Sequence, residues 1–278
     1  MHSRRVLFLS SGAPFVFFLV LCLVICAPRQ TLAADWTQRS IAGAAPFDRI
    51  AISDNGQYML AADTTGDVYL STDYGASWSD ALSEAGNGWT GVAISDNGQY
   101  MAASQDDEGI WVSSDFGSTW DETFAQAEPW SGVTMTADGQ HMAAVESSGD
   151  DGVYYSDAFG QINSWTEAGG VGLLAWTGIS YAPDASLLMA AAQDDRSLAD
   201  SSNLGADWSA LFNAPNIGSY YGLALADAGI AALAGAGTIS LSTDAGDTWE
   251  SQSATTPTRW NTVAISHDGQ TILAGGVD

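Results

Sequence analysis

Lysine is absent from this chain, and its seven arginines face 33 acidic residues. Arg4, Arg5 and Arg29 fall near the N-terminus, so residues 35–278 keep only Arg39, Arg49, Arg196 and Arg259 and carry a formal charge of −29. So few cations exclude a nucleic-acid partner, because a phosphate backbone is held by many Lys and Arg contacts. Binding to anionic lipid headgroups is excluded for the same reason. Such a surface favours solubility, a divalent cation or a basic partner, or else a salty medium that screens its self-repulsion.

Cysteine is nearly as scarce. Cys22 and Cys26 both lie in an apolar N-terminal stretch, and neither follows the small residue of a lipoprotein site. The remainder has no thiol, which excludes disulfides and thiol chemistry although an oxidising compartment would permit bridges. Beyond that stretch histidine occurs only at His141 and His267, which leaves no zinc site and no Ser-His-Asp arrangement. Helical periodicity is likewise missing outside the first thirty residues.

The N-terminal stretch itself reads as an export signal. Two arginines precede an apolar run over residues 6–27, and Thr31-Leu32-Ala33-Ala34-Asp35 offers the small residues a signal peptidase needs. The expected division is a signal peptide or uncleaved membrane anchor at 1–34 and a single domain at 35–278, secreted or extracytoplasmic. A membrane enters only through the uncleaved segment, whose length suffices to span a bilayer.

The domain is repetitive. Ser71-Thr-Asp73-Tyr-Gly75-Ala-Ser77-Trp78, Ser113-Ser-Asp115-Phe-Gly117-Ser-Thr119-Trp120 and Ser242-Thr-Asp244-Ala-Gly246-Asp-Thr248-Trp249 share one pattern. Weaker copies are Ser201-Ser-Asn203-Leu-Gly205-Ala-Asp207-Trp208 and a stretch from Ser156 and Asp157 to Trp165. Tryptophans at 36, 78, 120, 165, 208 and 249 set a period near 42 residues, which suits a four-stranded blade. Before each box runs an alternating segment that begins at Phe47, Trp89, Trp130, Trp176, Tyr220 or Trp260 and reads as a strand with one packed face. Asp54-Asn-Gly56, Asp96-Asn-Gly98, Asp138-Gly139 and Asp268-Gly269 then close tight turns into a second apolar run. Each unit is thus strand A, turn, strand B, loop, strand C, box, strand D.

These boxes resemble those of the Asp-box, or BNR, propellers of the sialidase-like superfamily, over nearly the whole domain. The resemblance implies an all-β propeller of about six four-stranded blades, with seven blades or a truncated propeller as alternatives. Residues 35–40 look like a D strand without its hairpin, and closure is expected from their joining the last blade, which would hide sheet edges. The resemblance also implies that the box is structural. Asp73, Gly75, Trp78, Asp115, Gly117, Trp120, Asp157, Asn203, Gly205, Trp208, Asp244, Gly246 and Trp249 are therefore expected to build hairpins opposite the ligand face. One carboxylate per box is a poor calcium cage.

On the ligand face stand the B–C loops and D–A connections. Three loops carry paired acids, Asp106 with Asp107, Asp150 with Asp151, and Asp194 with Asp195. Beside them sit Trp89, Trp130, Trp176, Tyr220 and Trp260, so this face is the candidate for stacking on a glycan or binding a protein, a basic segment or calcium. No other cofactor is expected and no catalytic residue is assigned. The alternative is a glycoside hydrolase, which needs two carboxylates at a set separation. A sialidase is disfavoured, since Arg49-Ile50-Ala51 departs from the family's Arg-Ile-Pro motif and four arginines are too few for its carboxylate-gripping triad. A non-catalytic exported binding module is the expected function.

Overall fold

The computed structural model describes residues 5–11, 47–63, 65–83, 88–149, 152–171, 174–192, 197–252 and 259–277. It is an all-β chain of antiparallel meanders. β1 (Arg5–Ser11) stands apart, and β2 (Phe47–Ile52), β3 (Met59–Asp63), β4 (Asp67–Ser71) and β5 (Ser79–Ser83) form the first sheet in chain order. β6 (Trp89–Ile94), β7 (Met101–Ser113), β8 (Asp121–Met135), β9 (Met142–Glu146), β10 (Val153–Ser156) and β11 (Thr166–Glu167) form a second, six-stranded sheet. Two sheets of four follow: β12 (Trp176–Tyr181), β13 (Leu188–Ala192), β14 (Leu198–Ser201) and β15 (Ser209–Leu211), then β16 (Tyr220–Ala226), β17 (Ile230–Gly235), β18 (Ile239–Ser242) and β19 (Glu250–Gln252). β20 (Arg259–Ile265) and β21 (Thr271–Val277) close the series, with β1 lying parallel against β21. The expected closing strand at residues 35–40 lies outside the described residues.

The six-stranded sheet is two repeat units fused. In the second unit the expected B–C loop stays extended, with Asp106 opposite Pro129 and Glu108 opposite Glu128, so strands B and C run on as β7. β8 likewise leaves one unit and enters the next, where Trp130 pairs with Glu146.

Sheets stack because their second strands have no solvent face. Every residue of β3, β9 and β13 is buried, which requires a neighbour on both faces of the sheet. The first strands lie side by side in order, β2 on β6, β6 on β8, β8 on β12, β12 on β16 and β16 on β20. Each carries a bulge directly after its leading aromatic, at Phe47/Arg49, Trp89/Gly91, Trp130/Gly132, Trp176/Gly178, Tyr220/Gly222 and Trp260/Thr262. Close approach explains the glycines: a Cβ on Gly91 would lie 2.7 Å from the Val133 nitrogen, and one on Gly222 would lie 3.0 Å from Thr262 Cα. Side chains at the bulge then donate to the next sheet, Arg49 Nε to the Thr90 carbonyl at 2.7 Å and Ser131 Oγ to the Trp176 carbonyl at 2.5 Å.

The A–B turns are linked as well. Asp54 N–H donates to the Asp96 carbonyl at 3.1 Å, Asp96 N–H to Ala137 at 2.8 Å and Asp227 N–H to His267 at 2.9 Å. The last turn meets the first two, with His267 Nδ1 4.0 Å from Asp54 Oδ1 and Nε2 3.7 Å from Asp96 Oδ1.

Three boxes share one hydrogen-bond pattern. In the second, Ser113 Oγ donates to Asp115 Oδ1 at 2.9 Å and accepts from Gly117 N–H at 3.0 Å. Asp115 also accepts from Thr119 N–H and Oγ1, both at 2.8 Å. Asp73 and Asp244 have the equivalent partners. All three carboxyls are held below the usual carboxylate range, by the Ser77 and Thr248 hydroxyls first for Asp73 and Asp244 and by the Thr119 N–H first for Asp115. The residue before the box glycine takes a left-handed conformation each time: Tyr74, Phe116, Phe159, Leu204 and Ala245 have φ between 56° and 64°. The side-chain network pins a turn that non-glycine residues otherwise avoid.

The fourth box inverts the chemistry. Asn203 Oδ1 accepts from Asp207 N–H at 2.9 Å, and Asn203 Nδ2 donates to Asp207 Oδ2 at 2.8 Å, so the charge has moved four residues on. The third box corrects an expectation. Gly160 N–H donates to Ser156 Oγ, which puts Ala158 in the carboxylate position, while Asp157 turns away to His141 Nδ1 at 2.9 Å. Ser156 Oγ meets Ser164 Oγ at 2.6 Å instead, because the extra residues before Trp165 shift the register.

The depressed Asp115 carboxyl contributes stability that is present above the ordinary value, about 3.9, and is lost as pH falls through its folded value. The deficit in melting temperature of Asp115→Asn against the unaltered chain is therefore expected at pH 6 and to shrink as pH falls below the ordinary carboxylate range. A second expectation concerns the swapped box. Asn203→Asp sets two carboxylates against each other and lowers the melting temperature, and adding Asp207→Thr restores it by recreating the common box.

Candidate functional site

In an antiparallel meander that begins at one end, the A–B turns and boxes share one end of the sheets. The B–C loops and D–A connections share the other, which is the candidate face. The aromatics expected to line it are interior. Trp89, Trp130, Trp176, Tyr220 and Trp260 are between 0 and 2% exposed, so they offer no ring face to a ligand. The bulge is the cause: the extra residue turns each aromatic under the loop and against the sheet interface. Trp130 packs edge-on to Phe124 and Tyr154 at 5.6 and 5.3 Å and donates Nε1–H to the Glu108 carbonyl at 3.1 Å. Phe47 meets Tyr69 edge-on at 5.7 Å.

The acids divide. Asp106 and Asp107 sit on the extended ribbon of β7, Asp107 exposed and with φ of 55°. Asp106 is partly buried, and burial first and the Asp107 charge second push its carboxyl above the usual range. Glu108 and Glu128 face each other across the same ribbon. Asp150, Asp151, Asp194 and Asp195 lie outside the described residues. Among the described residues no cluster of three or more His, Asp or Glu side chains is placed to hold a metal ion.

Two acids outside the candidate set are fully buried. Asp63, Gln105 and Glu146 each stand directly opposite the leading aromatic of their unit, Phe47, Trp89 and Trp130. Asp63 Oδ1 accepts from the N–H groups of Thr65, Gly66 and Asp67 at 2.8 to 3.1 Å, which shapes the loop that follows. Glu146 Oε2 does the same with Ser148 and Gly149, while Glu146 Oε1 is buried without a hydrogen-bond partner among the described residues. The signal was an acid followed by Thr or Ser and then Gly, an Asx-type turn. In the other three units Ala192, Gly235 and Gly276 occupy that place. The position opposite the leading aromatic is therefore polar in units one to three and small in units four to six.

The second half brings its own groups through the D–A connections. Phe212, next after β15, is 95% exposed. Tyr221, next after the fifth leading aromatic, carries the Arg259 guanidinium 4.1 Å from its ring centre, a cation–π contact. Arg49, on the first unit, pairs with Asp48 at 2.6 Å.

No family model matches the chain, and no curated protein matches its sequence. Solved structures share its fold. A GH74 enzyme of Niastella koreensis superposes with a TM-score of 0.64 over 83% of this chain, at 13% identity. The GH74 xyloglucanase of Xanthomonas campestris superposes with a TM-score of 0.63 over 81%, at 15% identity. The chain spans 46% and 44% of those two proteins. The fold is thus the β-propeller type of glycoside hydrolases of that class. Among the described residues no helix is long and apolar enough to cross a membrane.

Trp130→Ala is expected to lower stability by about 3–5 kcal/mol, the effect of emptying a large core site. Denaturant unfolding measures it.

Proposed function

We propose that this chain is an exported, non-catalytic carbohydrate-binding propeller of the Asp-box type, with about six units closed by residues 35–40. Its ligand is a β-glucan of the xyloglucan kind, taken up on the face of the B–C loops and D–A connections. The observation that supports this most is a fold shared with glycan-active enzymes, one of them a xyloglucanase, joined to a face with acids on one side and an exposed Phe212 and half-buried Tyr221 on the other. Aromatic rings supply flat apolar surface and carboxylates supply acceptors for hydroxyl groups, the combination a neutral sugar chain requires. A high acid content suits this ligand, since a neutral glycan is not repelled.

Hydrolysis is the second reading, favoured by Asp106. A carboxyl raised by burial and by a charged neighbour can hold the proton that a general acid gives to a leaving glycosidic oxygen. Release of reducing sugar from xyloglucan that disappears with Asp106→Asn would replace the binding reading by this one.

Affinity electrophoresis in gels cast with xyloglucan tests the proposal. The unaltered chain is expected to be retarded, and Phe212→Ala to weaken retardation about tenfold, the scale of one lost aromatic contact. Its melting temperature should not move, because so exposed a ring adds little to folding. Equal mobility with and without polysaccharide contradicts the proposal.

A further inference from the structure

Each A–B turn carries a single carboxylate at its two corner positions. The corner pairs are Asp54-Asn55, Asp96-Asn97, Ala137-Asp138, Pro183-Asp184, Asp227-Ala228 and His267-Asp268. An acid at either corner is thus matched by a residue without a carboxylate at the other, which keeps like charges from standing side by side in one tight turn. This end of the molecule is crowded with charge as it is. Burial first, and then the charges of Asp54, Asp227 and Asp138, hold the Asp96 carboxyl above the usual range against the pull of His267.

In two of the turns the neutral corner is chemically labile. Asn55 and Asn97 are exposed, and each precedes a glycine, Gly56 with φ of 74° and Gly98 with φ of 77°. Glycine has no side chain to screen its backbone nitrogen, so that nitrogen can reach the carboxamide carbon of the residue before it.

A carboxylate formed at these corners has a place prepared. Asp138 Oδ1 accepts from Thr136 Oγ1 at 2.7 Å and from Gln140 N–H at 2.9 Å, and Asp268 Oδ1 accepts from Ser266 Oγ at 2.7 Å and from Gln270 N–H at 3.0 Å. Asn55 Oδ1 accepts in the same way from Ser53 Oγ at 3.0 Å and Gln57 N–H at 2.9 Å, and Asn97 Oδ1 from Ser95 Oγ at 3.0 Å and Gln99 N–H at 2.8 Å. An aspartate therefore keeps both bonds that its asparagine makes.

The closed turn holds the reacting atoms apart. Gly56 N–H donates to the Ser53 carbonyl at 2.8 Å and Gly98 N–H to the Ser95 carbonyl at 2.9 Å, which engages the nitrogen that would attack. The two bonds to Oδ1 fix the carboxamide over the nitrogen two residues on. Neighbouring turns brace the arrangement through the Asp54 N–H to Asp96 and Asp96 N–H to Ala137 bonds, and Tyr58 lies so close on Gly98 that a Cβ there would meet its ring at 2.3 Å.

We propose that Asn55 and Asn97 are sites of spontaneous deamidation, with water as the co-reactant, which the closed turns hold off and which proceeds when this end of the molecule opens. The glycine nitrogen bonds to the carboxamide carbon and gives up its proton, and the carboxamide nitrogen leaves as ammonia. Water then opens the cyclic imide at either carbonyl, yielding aspartate or isoaspartate. Each conversion adds a negative charge and gives its turn two adjacent carboxylates, beside the very acids that His267 meets at 4.0 and 3.7 Å. The modification records, as charge, the time the turns have spent open.

The full-length chain in detergent is incubated folded and in urea at one pH and temperature, then cut with chymotrypsin. Mass spectrometry follows the exchange of ammonia for water at each asparagine. Conversion of Asn55 and Asn97 is expected in urea and to be slower by about tenfold or more in the folded chain, where the reaction waits on local opening. Ser95→Ala removes one donor to Asn97 and should make Asn97 convert faster than Asn55 in the folded state. Equal rates folded and in urea, conversion in neither, or a folded Ser95→Ala chain in which Asn97 is no faster than Asn55 overturns the proposal. If Ser95→Ala does not fold, the comparison of the unaltered chain folded and in urea decides alone.

Discussion

Everything in this molecule depends on burying both faces of its second strands. β3, β9 and β13 are interior at every residue, and no unit can achieve that alone, since a lone four-stranded sheet leaves at least one face in water. Stacking unit on unit is the remedy, and the bulge after each leading aromatic makes it possible by letting first strands approach at glycine. The hairpins at the far end serve the same purpose. Box glycines leave room for a side chain of the preceding unit, as Gly117 does for Leu70 and Gly160 for Val112.

Function follows from what this scaffold leaves over. Turns and boxes at one end are saturated with internal hydrogen bonds, from Asp54 to His267 along the turns and within every box. At the other end the loops carry the exposed Asp107 and Phe212, the Tyr221–Arg259 pair, and a buried Glu146 oxygen that has no hydrogen-bond partner among the described residues. The two halves differ at single positions opposite the leading aromatics, where Asp63, Gln105 and Glu146 give way to Ala192, Gly235 and Gly276.

Tryptophan spacing and the Ser-x-Asp-x-Gly pattern made the strand order of each unit legible in the sequence, because both report local geometry: a space-filling ring and a turn with its own acceptor. The direction of Trp89, Trp130 and Trp176 was not legible. A one-residue bulge reverses the alternation of a strand, and nothing in Trp-Thr-Gly or Trp-Ser-Gly announces it except the glycine. Asp157 misled for a related reason, since a box with inserted residues keeps its serine and glycine while its acid slides by one place. Phe212 is not marked in the sequence because a lone aromatic in a connection has no period, and nothing local in Asp63 or Glu146 announces that the acid is buried.

The most direct test of the functional geography is a hydrogen-exchange footprint of the chain with and without a xyloglucan oligosaccharide. Protection confined to residues 105–108, 126–129 and 212–221, with the A–B turns and box hairpins unchanged, is the result this account requires. Protection centred on the turns from Asp54 to His267, or none anywhere at saturating sugar, would contradict it.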